Sequence, residues 1–191
     1  MKINEGGEMQ LDELRRKAGM GEKAVKQCHN RMFLLDVSDS MAGEKLTNAK
    51  LALDKYKKPI DGLILFGDKA HYISGNISTL LTSGMTAMLP ALKMAIECSP
   101  TGIIIITDGM PNKDGNPEDV IAYVSSLTGI RIDLIGISRG DRYGSWDIDT
   151  AFIETIASMT GGRSIIIEDP SKLSDSVKLL CAPETIQIGK D

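Results

Sequence analysis

A chain of 191 residues, 42% hydrophobic and 25% charged, is long enough to bury one substantial core and short for two, so a single globular domain is expected. Its formal net charge of −4 argues against a nucleic-acid partner, because phosphate-backbone binders cluster Lys and Arg, and no apolar run is long enough for a signal segment or a membrane span. Three widely spaced cysteines, Cys28, Cys98 and Cys181, show no paired-ligand pattern and read as free thiols of a reducing, cytoplasmic compartment, two of them in the core.

Residues 1–30 stand apart: 11–17 and 23–28 have the character of short helices, but no strand accompanies them. The first apolar run, residues 32–36, reads as a strand, after which Leu46, Ala49, Leu53 and Tyr56 recur at helical spacing. Residues 63–66 and 70–73 are two further strands. Only Gly67-Asp68-Lys69 separates them, which predicts an antiparallel hairpin. Leu89, Leu92 and Ile96 form a second helical stripe, and Pro90 inside it predicts a helix that starts a turn later than its apolar pattern. Residues 103–107 carry four consecutive isoleucines, the pattern of a strand covered on both faces in a parallel sheet.

Asn116-Pro117-Glu118-Asp119 supplies an N-cap, a first-turn proline and first-turn acids for a third stripe, Val120, Val124 and Leu127. A strand at 132–137 follows, then Phe152, Ile156 and Met159 on a helix that Gly161-Gly162 terminates. A strand at 164–168 and the stripe Leu173, Val177 and Leu180 complete the pattern. The expected architecture is α/β: a Rossmann-like, doubly wound, mostly parallel six-stranded sheet with one antiparallel edge strand and helices on both faces. It occupies residues 31–180, between an arm (1–30) and a tail (181–191).

The first strand ends in Asp36-Val37-Ser38-Asp39-Ser40, an acid and two hydroxyls on alternate residues where the chain leaves the sheet. The fourth ends in Thr107-Asp108-Gly109, and ligands of doubly wound sheets bind beyond such carboxyl ends, where the winding reverses. Adjacent first and fourth strands would bring Asp36 and Asp108 together. Ser83-Gly84-Met85-Thr86, between the hairpin and the second helix, offers a third hydroxyl in Thr86. Two carboxylates and three hydroxyls make an all-oxygen set that suits a hard cation, Mg²⁺ or Mn²⁺, rather than zinc or copper. Mg²⁺ held largely by neutral hydroxyls stays electrophilic and keeps a position open for an acidic group.

These residues resemble the von Willebrand factor A (vWA) family, whose metal-ion-dependent adhesion site combines Asp-x-Ser-x-Ser with a distant Thr and a distant Asp. The resemblance covers roughly residues 31–180, with the motifs in matching order, and is nearest in flavour to intracellular bacterial vWA proteins of the tellurium-resistance type. It implies that Ser38, Ser40 and Thr86 supply hydroxyl ligands, that Asp36 and Asp108 act mainly through bound waters, and that a partner's Glu or Asp completes the shell. The function implied is metal-dependent protein binding without catalysis. Asp39 departs from the pattern, standing where a small residue is common and bringing extra negative charge.

Blander readings compete at each position. Ser38 and Ser40 are also good caps for a following helix, Asp108-Gly109 alone is a turn, and Thr82 and Ser83 are near substitutes for Thr86. The loop 139–149 carries Arg139, Arg142, Tyr143 and Trp146, types enriched in binding hot spots, although a lone Trp can equally plug its own loop. Arg142, Tyr143 and Trp146 are the partner-contact candidates. His71 falls on the edge strand, too far from Ser38 to act as its base, and residues 112–116 lack the first acid of a calcium loop. One alternative function is a Mg²⁺-dependent phosphohydrolase of haloacid-dehalogenase type. It would need an acid at position 38, where this chain has serine. Another is an adaptor subunit of a ring ATPase machine, which differs in partner rather than in chemistry.

Overall fold

The computed structural model describes residues 30–74, 77, 82–138 and 149–182. Strands β1 (Met32–Asp36), β2 (Gly62–Phe66), β3 (Ala70–Tyr72), β4 (Gly102–Thr107), β5 (Arg131–Ile137) and β6 (Ser164–Ile167) alternate with helices α1 (Glu44–Tyr56), α2 (Met88–Glu97), α3 (Pro117–Ser125), α4 (Thr150–Met159) and α5 (Leu173–Cys181). The six strands form one sheet in the order β3-β2-β1-β4-β5-β6. All neighbours are parallel except β2 and β3, which pair antiparallel with Phe66 opposite Ala70. From β1 the chain winds outward to β2 and β3, then crosses to β4 on the other side. The winding therefore reverses between β1 and β4, where ligands of this architecture bind.

Because successive strand side chains point to opposite faces, the apolar runs divide into two cores. Met32, Leu34, Ile103 and Ile105 face α2, α3 and α4, packing with Leu92, Val124 and Ile156. Phe33, Leu35, Ile104 and Ile106 face α1 and α5, packing with Leu53, Leu173 and Val177. The four isoleucines of β4 are thus shared two to a side. Each fully buried side chain of this size contributes roughly 1.5–3 kcal/mol of transfer free energy, so the central strands anchor the fold.

Local signals act where their chemistry predicts. Asn116 accepts from Asp119 N at 2.9 Å while Asp119 reaches back to Asn116 N at 3.0 Å, a reciprocal cap at the start of α3. Gly161 takes φ +67° just past α4, and Gly162 N bonds to Ala157 O at 2.8 Å. Two expectations are corrected. Helix α2 begins at Met88, level with its apolar pattern rather than a turn later, because Pro90 falls in the first turn, whose N–H groups have no intrahelical acceptor; the first such bond is Ala91 N to Ala87 O. Cys98 and Cys181 are both half-buried at the margins of the two cores rather than inside them.

Candidate metal centre

The site assembles at the carboxyl ends of β1 and β4. Asp36, the last residue of β1, lies one register step beyond the Leu35–Ile106 pair, which sets it beside Thr107. Its carboxylate is fully buried: Oδ1 accepts from Ser38 N at 2.8 Å, and Oδ2 accepts from the Thr107 hydroxyl at 2.5 Å. Burial disfavours the charged form and outweighs these bonds, and with a smaller push from Asp108 it raises the Asp36 pKa to about 6. A carboxylate held this way lacks nearby positive charge sufficient to offset its desolvation.

Ser38 and Ser40 do not cap the helix that follows. No side-chain cap bond forms at the 3₁₀ turn Asp39–Met41, and the residue preceding α1 is Gly43. The Ser40 hydroxyl instead donates to Asp108 Oδ1 at 2.6 Å, 68 residues away in the chain. With that proton committed, the 3.0 Å contact between the two serine hydroxyls runs from Ser38 to Ser40. Ser38, Ser40 and Asp108 thus form one chain of oxygens, with Ser38 and Asp108 nearly inaccessible.

Thr86 arrives from the loop before α2 and is also buried, whereas Ser83 is exposed. A β-carbon built on Gly109 would lie 3.7 Å from Thr86 Oγ1 and 4.0 Å from Ser40 Oγ, so both hydroxyls converge over this glycine. The loop is held from four sides. Ser83 N donates to Val37 O at 2.7 Å, and Thr86 N donates to the Asn112 side chain at 2.8 Å. Asp39 N donates to Gly84 O at 3.0 Å while Asp39 Oδ1 accepts from Gly84 N at 3.1 Å; Asp68 Oδ1 accepts from Met85 N at 3.0 Å. Gly84 takes φ +62°, and a side chain there would collide with the Asp68 carboxylate. One oxygen of Asp39, the departure from the motif, is therefore spent on tethering the loop.

All five predicted ligand residues, Asp36, Ser38, Ser40, Thr86 and Asp108, come together at this end of the sheet. Sequence reasoning missed Thr107 and Asn112 as supports, although the first precedes Asp108 directly and the second lies four residues after it, and missed Asp68. It also missed Lys45, in the first turn of α1, whose Nζ contacts Asp108 Oδ2 and donates to Ser40 O at 3.3 Å. Arg142, Tyr143 and Trp146 lie outside the described residues, as do the arm through residue 29 and the tail from residue 183. His71 is on β3 and exposed.

The donor set fits a hard divalent cation. It is all oxygen, it includes a buried carboxylate in need of positive charge, and the Ser40 proton is turned onto Asp108 rather than toward the other hydroxyls. Among the described residues no three His, Cys, Asp or Glu side chains group in a way that could hold a metal. A site here would therefore depend on hydroxyls as much as on carboxylates.

No protein-family model and no curated protein matches the sequence. Solved structures do match the fold. An aerotolerance-related membrane protein from Bacteroides fragilis aligns with a TM-score of 0.58 at 20% identity, over 80% of this chain and 98% of that one. The conserved hypothetical protein BatB from Bacteroides thetaiotaomicron gives 0.55 at 20% identity over the same shares. The TFIIH p34 N-terminal domain gives 0.51 at 12% identity, over 80% of this chain and 97% of that one. Among the described residues of this chain no helix is long and apolar enough to cross a membrane. The chain has the Rossmann-like α/β fold of von Willebrand factor A type.

Proposed function

We propose that this chain is a metal-dependent protein-binding module that captures a Glu or Asp of a partner protein through a Mg²⁺ or Mn²⁺ ion. Asp36, Ser38, Ser40, Thr86 and Asp108 would hold the ion. The observation that carries the reading is the convergence of three hydroxyls from two separate segments on a pair of buried carboxylates at the winding reversal. When bound, the ion would supply a Lewis-acidic position for a partner carboxylate. The chain's own residues orient the donors: Thr107 and Ser38 N fix Asp36, Ser40 fixes Asp108, and Asn112 fixes the Thr86 backbone.

The module binds rather than catalyses. Residue 38 offers a hydroxyl where a phosphohydrolase of this geometry needs a carboxylic acid, and serine has no accessible pKa for that role. The vWA-type fold of the neighbours is compatible with a binding module and contributes nothing further.

The test is calorimetric titration with Mg²⁺ and Mn²⁺, paired with thermal unfolding. One ion per chain is expected, and at a hundred times the dissociation constant it raises stability by about 2.7 kcal/mol. Asp36→Ala should abolish both effects. Absence of binding in the wild type, or equal binding in the variant, would refute the site.

A further inference from the structure

Lys45 brings to the site a positive charge that has no place in the expected ligand set. A lysine in the first turn of a helix opposes the helix dipole, so α1 itself gives no reason for a cation here. What holds Lys45 is the site. Its Nζ contacts Asp108 Oδ2 and donates to the Ser40 carbonyl, and its side chain is only 15% exposed against a fully buried Asp108 carboxylate. Asp108 Oδ1 meanwhile accepts from Ser40. Both oxygens of one proposed ligand are therefore engaged, one of them by a positive charge from the chain.

We infer that Lys45 is a tethered rival of the divalent ion: its ammonium neutralises Asp108 in the metal-free protein and must leave that oxygen when the ion is held. The inference rests on the metal-site reading above. An ammonium is a compact point charge on a flexible stem, so it can stand in for part of an ion's charge and withdraw along its own tether. An ion at Asp108 meets like charge if Lys45 stays and an unshielded carboxylate if it goes. Lys45 thereby sets the metal affinity of the site, lowering it while keeping the metal-free fold intact. This sequence would bind its ion more weakly than the same oxygen set without the lysine.

Mn²⁺ titration of the wild type, Lys45→Met and Lys45→Arg tests this, with Lys55→Met, at the far end of α1, as a remote charge control. Lys45→Met should bind Mn²⁺ at least tenfold more tightly than wild type, whereas Lys45→Arg and Lys55→Met should stay near the wild-type value. Binding by Lys45→Met alone would also support the rivalry. Equal or weaker affinity in Lys45→Met, with wild-type binding intact, would overturn the rivalry and leave the metal site standing. Absence of Mn²⁺ binding in every variant would overturn both. A second measurement needs no variant: in the wild type, acetic anhydride labelling of Lys45, read by peptide mass spectrometry, should rise at saturating Mn²⁺ while that of Lys55 does not. Labelling of Lys45 that ignores bound Mn²⁺ would likewise overturn the inference.

Discussion

The two ends of the sheet bury charge in opposite ways. At the carboxyl ends of β1 and β4, Asp36 and Asp108 lie buried near each other, and Lys45 reaches one of them. At the amino ends, arginines surround the acids. Asp61 accepts from the backbone of Arg31 at 3.2 Å and of Lys58 at 2.9 Å, with the Arg31 guanidinium 3.6 Å away. Asp133 accepts from Arg131 at 2.9 and 3.0 Å and from Arg163 N at 2.7 Å, while Arg163 also donates to Leu180 O at the end of α5. These arginines and Lys58 line a cleft of about 270 Å³. The Nε groups of Arg31 and Arg163 are buried without a hydrogen-bond partner among the described residues, so charge rather than complete hydrogen bonding holds this end. The lower acids already have their cations, whereas Asp36 is held by neutral donors and its pKa stands at about 6. An ion-pair network stabilises a fold; a buried carboxylate such as Asp36, under-compensated and set among hydroxyls, is suited to receive an ion.

The largest expected effect breaks the lower network. Asp133→Ala leaves Arg131 and the Arg163 backbone without their shared acceptor, and losing one partner of a mostly buried pair costs about 3–5 kcal/mol. Urea unfolding should show this loss while Mn²⁺ affinity stays within about twofold. A comparable fall in metal affinity would mean the two ends are energetically coupled and the contrast is false.

The second effect is a pH dependence specific to the upper end. Raising the folded pKa of Asp36 from 3.8 to about 6 means that the native state binds the proton more tightly than the unfolded chain. The associated stability is complete below pH 3.8 and is lost as pH rises through 6, amounting to about 3 kcal/mol at about 1.4 kcal/mol per unit. Other acids titrate over the same range, so the measurement is the difference between wild type and Asp36→Asn in EDTA. Wild type should fall relative to the variant between pH 4 and pH 6. A flat difference would show that Asp36 is not under-compensated in the metal-free protein.

The smallest effect concerns the loop that carries Thr86. Asp39→Ala removes one acceptor, for Gly84 N, and leaves the tethers from Val37, Asp68 and Asn112. A loss of about 1 kcal/mol or less is expected, with metal affinity weakened a few-fold as Thr86 becomes less well held. An increase in affinity would instead assign Asp39 a role in the charge balance at the ion.

Much of this protein was legible in the chain because the signals are local or periodic. The run Ile103-Ile104-Ile105-Ile106 requires cover on both faces, the short Gly67-Asp68-Lys69 link requires a hairpin, and Asn116 to Asp119 is a cap whose partners are three residues apart. The candidate ligands were legible for the same reason, since acids and hydroxyls at strand ends have a place in a doubly wound sheet before any coordinate is known. Tertiary structure alone decided what those groups touch. Ser40 could have capped a helix; Asp108, 68 residues on, takes its proton instead because β1 and β4 are neighbours. Lys45 reads as an exposed helical lysine until α1 packs on the sheet and brings its ammonium to Asp108, and Asp68 reads as a turn residue until Gly84 lies against it. Spacing along the chain reports which face a residue occupies, but the partner of a charge is set by which strands are adjacent, and adjacency is a property of the whole sheet.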